Sequence, residues 1–405
     1  MESEPELGKL PLADFDHQPR TRLVYGADTV DQVGELAREY CAGKVLVVTD
    51  QGIVKAGHAG RVGEALDQAG IGHATFDRVR ENPTTKDVAD CLAVAKAEKI
   101  DFIIGLGGGS SMDTAKGCNF ILTNGGEMKD YWGVGRADKP MLPLIAIPTT
   151  SGTGSECQSF ALIADESTHA KMACGDPKAA AKAAILDPKL TVSQPRAVTA
   201  NTGIDAIAHA VETAVTKKRN PLSLMYSHEA FKLCVTSLPA VLAEPDNLEA
   251  RGRMLLGAAY AGIAIENSML GAAHSAANPL TAHYDVVHGT AVGMMLPLIV
   301  RFNAGEQGAL QGYAELASAP EIASVSGGLN AAMEALISRL ETLLNLADMP
   351  RSLSDLGVKP DLVKTMSEEA AKQWTATFNP REIGAGDFVD LYEAAFNQRS
   401  DGDMV

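Results

Sequence analysis

Four compact apolar runs, each ending in turn residues, constrain the fold of this chain more than any other feature. "KVLVVTD" (44–50), "DFIIGLGGG" (101–109) and "PLIAIPTTSGTG" (143–154) have the shape of strands buried on both faces, and "AAILDP" (183–188) is a weaker version. Between them, "GRVGEALDQAG" and "TKDVADCLAVAKAEK" are helical in pattern. Such alternation predicts an α/β domain over residues 21–195, built on an open parallel sheet covered on both faces, after a polar tail over 1–20. Past residue 195 the β-type runs nearly vanish. "DAIAHAVETAV", "ARGRMLLGAAYAGIAIENSML" and "LNAAMEALISRLETLLNLA" place apolar residues three and four apart, which predicts an all-helical domain over 196–405. A cleft between two such domains is a preferred seat for a cofactor.

The totals narrow the function classes. The 405 residues are 46% hydrophobic and 21% charged, an ordinary globular balance. The longest apolar runs, "LPLIAIP" and "VGMMLPLIV", are short and carry prolines, so neither spans a bilayer. "MESEPELGKL" is acidic and lacks the basic-then-apolar order of a signal peptide, so the cytoplasm is expected. A net charge of −16 argues against sequence-independent nucleic-acid binding, which needs a positive surface. Six cysteines, at 41, 91, 118, 157, 174 and 234, form no close pair, which excludes a CxxC motif and fits a reducing compartment.

Two stretches have the character of a phosphate site. "GLGGGSSMDTAKG" follows a strand and opens a helix, so Gly107, Gly108 and Gly109 allow close backbone approach while Ser110 and Ser111 add hydroxyl donors. A tight turn without a ligand is the alternative. The spacing G-x-G-x-x-G is absent, and the best acid for a ribose, Asp50, comes earlier in the chain. Taken alone, a strand-end Asp is more often a turn former. As a ribose acceptor it would repel a 2′-phosphate and favour NAD over NADP. "IPTTSGTGSE" supplies Thr149, Thr150 and Ser151 after another strand, as a hydroxyl-rich site or as a plain turn.

A second constellation lies in the helical half. In "TGIDAIAHAVE", Asp205 and His209 stand four apart and share one helical face among Ala, Ile and Val. A carboxylate and an imidazole on an apolar face need a partner. "HSAANPLTAHYDVVHG" (274–289) holds three of the nine histidines. One unbroken helix would separate His274 from His288 by about 20 Å. Pro279 is expected to break it, leaving His274 at the end of one helix and His288 at the entry to the next. Three imidazoles and one carboxylate would suit Fe(II), Zn(II), Co(II) or Ni(II).

Taken together, "GGGSSMDTAK", "PTTSGTGSE", "DPKLT", "TGIDAIAHAVE", "HSAANPL…VVHG" and "FNPREIG" resemble, in order and spacing, the iron-containing, group III metal-dependent alcohol dehydrogenases, over roughly residues 20–397. The resemblance implies a Rossmann-like N-terminal domain and a helical C-terminal one, the architecture shared with dehydroquinate synthases, with the metal in the cleft. It implies that Asp205, His209, His274 and His288 ligate Fe(II), or Zn(II), and act in catalysis through it. It further implies that Asp50 binds ribose, Gly107 to Ser111 bind the diphosphate, and Asn82, Thr149, Thr150, Phe160, Lys171 and Leu190 line the NAD pocket. Many members carry a histidine four residues after the third ligand; this chain has Asn278 there. His283 is a candidate substitute proton relay, an exposed loop histidine being the other reading.

The implied reaction is reversible hydride transfer between a small primary or secondary alcohol and NAD, with the metal polarising the substrate oxygen. Homo-oligomers, dimers or larger, are common in the family. Two rivals are a dehydroquinate synthase-like lyase, which needs a basic phosphate pocket, and a non-catalytic NAD-binding protein. The small apolar segments around the ligands, "GAAHSAANPL" and "GIDAIAHAVE", favour small uncharged substrates over a sugar phosphate.

Overall fold

A computed structural model describes residues 14–168 and 170–396. Residues 1–13 of the expected tail lie outside the described residues, and 14–20 have no regular structure. Nine strands follow: β1 (Arg22–Tyr25), β2 (Lys44–Val48), β3 (Gly72–Phe76), β4 (Phe102–Gly107), β5 (Gly133–Val134), β6 (Leu144–Pro148), β7 (Phe160–Ala164), β8 (Lys171–Gly175) and β9 (Ala183–Leu186). Five helices are interleaved with them: α1 (Val33–Glu39), α2 (Gln51–Lys55), α3 (His58–Gln68), α4 (Thr85–Glu98) and α5 (Gly109–Asn124).

Six strands form one parallel sheet in the order β1-β9-β6-β4-β2-β3. Alternate residues serve opposite faces, as the pleat requires. Val45, Val47, Ile104, Ile145 and Ile185 pack under α1 and α3, while Leu46, Val48, Ile103 and Ala146 pack under α4 and α5. Both faces are therefore apolar, which is why β2, β4, β6 and β9 read as continuous runs. The chain turns outward from β2 to β3 and returns on the other side of β2 with β4. That reversal opens a crevice at the carboxyl ends of β2 and β4. A second sheet, β5-β8-β7, with β7 and β8 antiparallel, was not expected from the sequence.

No described strand follows β9. The remainder is helical: α6 (Arg196–Thr213), α7 (Pro221–Ala243), α8 (Leu248–Ser268), α9 (Ala272–Tyr284), α10 (His288–Asn303), α11 (Gln307–Ser318), α12 (Leu329–Leu346), α13 (Val363–Lys372) and α14 (Ala385–Phe396). The two halves meet closely where the loop after β6 touches α8. A Cβ on Gly262 would stand 2.3 Å from the carbonyl oxygen of Gly154, so only glycine fits that crossing.

One expectation is overturned. Pro279 does not break its helix: α9 runs through it, and His274 stands in the first turn of α9 rather than closing a helix. The breaks fall at Met269, φ 68°, and at Asp285, φ 52°. Burial decides this, because Ala272, Ala273, Ala276, Ala277 and Leu280 all sit in the helical core, and packing outweighs one missing N–H. Prolines also lie inside α7 and α10. His288 does open α10, as expected.

Candidate active site

The crevice at the sheet's carboxyl edge gathers the phosphate-type residues. Asp50 caps α2, its Oδ1 accepting from the N–H of Gly52 at 2.7 Å and of Ile53 at 3.0 Å. Both readings of Asp50 thus bear on one side chain, since capping occupies one oxygen. The other, Oδ2, lies 3.5 Å from where a Cβ on Gly107 would stand, beside the glycine turn. Gly107 has φ +142°, and a Cβ there would meet Ser111 Oγ at 2.5 Å. Gly108 precedes the first residue of α5, and Gly109, Ser110 and Ser111 form that helix's first turn; the Ser111 N–H donates to Gly108 O at 3.1 Å, while those of Gly109 and Ser110 point out of the helix start without an intrahelical acceptor. The N–H of Thr149 donates to Gly107 O at 2.9 Å, tying the two loops together, and Thr150 lies against Gly108. Ser111 Oγ and Thr149 Oγ1 are buried with no hydrogen-bond partner. A glycine cradle with unused donors suits a diphosphate.

Deeper in the cleft, α6 and α9 bring Asp205, His209 and His274 together, and α10 adds His288 at the edge of the group. The Nε2 atoms of His274, His209 and His288 lie 3.4, 3.5 and 3.8 Å from Asp205 Oδ1. Corners of a tetrahedron with metal bonds of about 2.1 Å stand roughly 3.4 Å apart. Donor atoms of Asp205, His209 and His274 all fall within 4.8 Å of one another. Asp205 Oδ1 and His274 Nε2 are buried and make no hydrogen bond, a costly state that a shared cation would relieve. The donor set fits a borderline divalent ion.

The electrostatics point the same way. Burial alone would raise the Asp205 carboxyl, but the imidazoles, His209 foremost, hold it far below the usual carboxylate range. Burial lowers His209, and drives His288 down to about 3. At His274 burial also disfavours the cation, yet Glu212 and Asp205 outweigh it and raise the group to about 9. Asp205 is therefore ionised and His209 and His288 are neutral, as ligation requires, while His274 must give up a proton to bind an ion.

The other expected residues are scattered more widely. Asn82 is an exposed turn residue with φ 51°. Phe160 opens β7, its ring 5.6 Å from Trp374 of the helical half. Lys171 opens β8; burial lowers its ammonium, with Asp113 and Asp205 opposing. Leu190 is buried in the core cluster beneath the sheet. Asn278 donates to Gln373 Oε1 at 3.2 Å. His283 lies on the last turn of α9, not in a loop, where it pairs with Glu369 at 2.8 Å and makes no hydrogen bond or ion pair to the four clustered residues.

Models of two families match this chain: "iron-containing alcohol dehydrogenase" over residues 19–188 and its C-terminal counterpart over 199–396. The chain belongs to the iron-containing alcohol dehydrogenase family. Membership makes it a metal-dependent, NAD-linked alcohol dehydrogenase or aldehyde reductase. It is 33% identical to the NAD-dependent methanol dehydrogenase of Bacillus methanolicus, over 92% of this chain and 97% of that one. It is also 33% identical to the 1,3-propanediol dehydrogenase of Klebsiella pneumoniae, over 94% and 99%. A crystal structure of a 1,3-propanediol oxidoreductase superposes with a TM-score of 0.91 at 32% identity, covering 95% of this chain and all of that one.

Three features of this alcohol dehydrogenase escaped the sequence reading. Glu212, buried one turn after His209, is hydrogen-bonded to the ring of His274. Asn379, in "FNPREIG", accepts from the N–H of Ala272 at 3.3 Å and exchanges hydrogen bonds with Asn303. Lys116, fully buried, donates to the carbonyls of Ser155, Gln158 and Phe160 at 2.6, 2.8 and 3.0 Å, fixing the loop that leads into β7. The carboxylate in "HAVE" and the lysine in "DTAK" were visible as residues, but their partners lie 62 and about 40 positions away.

Proposed function

We propose that Asp205, His209, His274 and His288 hold the divalent ion of this alcohol dehydrogenase, and that NAD lies in the crevice between Asp50 and the glycine turn. The carrying observation is the convergence of three Nε2 atoms on Asp205 Oδ1, a buried oxygen with no hydrogen bond. When bound, the ion supplies Lewis acidity toward an alcohol or carbonyl oxygen, and NAD supplies the hydride acceptor. The residues of the chain do the rest. Ser111, Thr149 and the first-turn N–H groups of α5 bind the diphosphate. The free oxygen of Asp50 accepts from a ribose hydroxyl. Phe160 and Trp374, one from each half, wall the cleft against water. Asn278 positions by hydrogen bonding and cannot relay a proton, and His283, at the surface with Glu369, is the histidine proposed for that task.

Small uncharged primary or secondary alcohols and their aldehydes are the proposed substrates, supported by the alanine-rich surroundings of the cluster and by the substrates in the names of the relatives. Fe(II) is the favoured ion, with Zn(II) as competitor. We place the division between the two domains near residue 195. A cytoplasmic homo-oligomer is the proposed setting, supported by six unpaired cysteines and the family resemblance. No described helix is long and apolar enough to cross a membrane.

The test is His274→Ala. It should abolish metal content and turnover while NAD binding, followed by NADH fluorescence, stays within a factor of three. Undiminished turnover in metal-stripped enzyme would overturn the reading.

A further inference from the structure

The stripe on α6 that bears Asp205 and His209 carries a third polar group. Glu212 stands seven residues after Asp205 and three after His209, on the same helical face. It is 4% exposed, and among the described residues no lysine or arginine forms an ion pair with it. Both its oxygens are spent on the start of α9: Oε1 accepts from the N–H of Ala273 at 2.7 Å, and Oε2 from Nδ1 of His274. An ionised carboxylate only accepts, so Nδ1 of His274 must be the donor. A neutral ring protonated at Nδ1 carries its lone pair on Nε2, the atom 3.4 Å from Asp205 Oδ1.

We propose that Glu212 is the positioning residue of the metal centre: it fixes both the orientation and the tautomer of His274, so that Nε2 faces the ion. This rests on the reading of His274 as a ligand. The grip is double. The N–H of Ala273 anchors the carboxylate to the backbone that bears His274, so ring and main chain are held by one rigid group. A carboxylate at a helix N-terminus is itself favoured by the helix dipole. Asn379 adds a second hold on the same turn through the N–H of Ala272. His209 and His288 have no such carboxylate: the Nδ1 of each makes no side-chain hydrogen bond, so among the three imidazoles only His274 is set by a charged group.

The substitution that separates this role from helix capping is Glu212→Gln. The amide oxygen can still accept from Ala273, but the amide NH2 then faces Nδ1 and can only donate. Nδ1 must become the acceptor, which moves the ring proton to Nε2 and removes the lone pair from the site. Full-length protein stripped of metal is titrated with Zn(II) against a chromophoric chelator, for wild type, Glu212→Gln and His274→Ala. The expected result is a Zn(II) Kd raised about 10–100-fold in Glu212→Gln, with NADH binding and the melting temperature of the metal-free protein close to wild type. A Kd within twofold of wild type, while His274→Ala loses the ion, would overturn the role of Glu212 and leave the ligand set standing. Equal Kd values for wild type and His274→Ala would instead overturn the ligand assignment beneath it. Should Glu212→Gln fail to fold, 15N imidazole shifts of Zn(II)-loaded wild type decide the matter: ligation through Nε2 of His274, with Nδ1 protonated, is expected, and ligation through Nδ1 would overturn the proposal.

Discussion

Asp50 shows how one side chain can serve the fold and the ligand together. Because its Oδ1 caps α2, replacement by alanine would cost roughly 0.5–2 kcal/mol of stability and confuse any effect on the nucleotide. Asp50→Asn keeps a cap while removing the charge. It should lower the ratio of kcat/KM for NAD over NADP at least tenfold with little change in melting temperature; an unchanged ratio would remove Asp50 from the ribose site. Glu156 carries a different expectation. Its Oε1 is buried without a partner, and burial, opposed by Lys116, raises the carboxyl to about 7. The folded chain holds that proton where the unfolded chain has released it. Its contribution to stability is full below the unfolded value of 4.5 and is lost as pH rises through about 7. Glu156→Gln should therefore stabilise the protein at pH 8, by on the order of 1–3 kcal/mol, and leave it unchanged at pH 4.5, as read by thermal melts. The Asp205–His209 pair was legible because both residues lie four apart on one apolar face. The role of Glu212 was not, because its partner returns from a distant helix.

At the scale of elements, legibility followed burial. The central strands β2, β4, β6 and β9 are covered on both faces, so packing wrote an unbroken apolar run into each. The edge strands β1, "RLVY", and β3, "GHATF", are partly exposed and carry a mixed pattern that resembles loop. The hairpin of β7 and β8 buries Ala161, Ile163, Met172 and Cys174 on one face and Phe160 and Ala173 on the other, with Leu162 exposed, so it gave only a weak period-two signal. Pro279 misled for the opposite reason, since a local rule about proline met a helix held by its neighbours. The glycine turn between β4 and α5 makes the element-scale prediction. Gly107→Ala places a Cβ 2.5 Å from Ser111 Oγ at a backbone angle that L side chains rarely adopt. NADH affinity should fall at least tenfold, and metal content should be retained. Asn379→Ala removes the hold on the first turn of α9 from within a buried network, and should cost about 2–4 kcal/mol in chemical denaturation.

In the whole molecule, the two halves are joined at a point where no side chain is tolerated. Gly262→Ala would force α8 away from Gly154, an overpacking cost of about 1–3 kcal/mol. Turnover needs both halves in register, so kcat/KM should drop by more than tenfold while metal content and NADH binding, each a property of one half, change little. Equal losses in all three would indicate general unfolding instead. The same geography has an evolutionary meaning. The three imidazoles gathered around Asp205, with Glu212 and Asn379 behind them, follow residue 196, whereas Asp50, the glycine turn and Thr149 precede β9; Lys171 is the first-half side chain that bears on Asp205. Ion preference and nucleotide preference are thus written in separable stretches of gene. A recombinant that exchanges the first stretch for a relative's should inherit that relative's choice of dinucleotide and keep its own choice of ion.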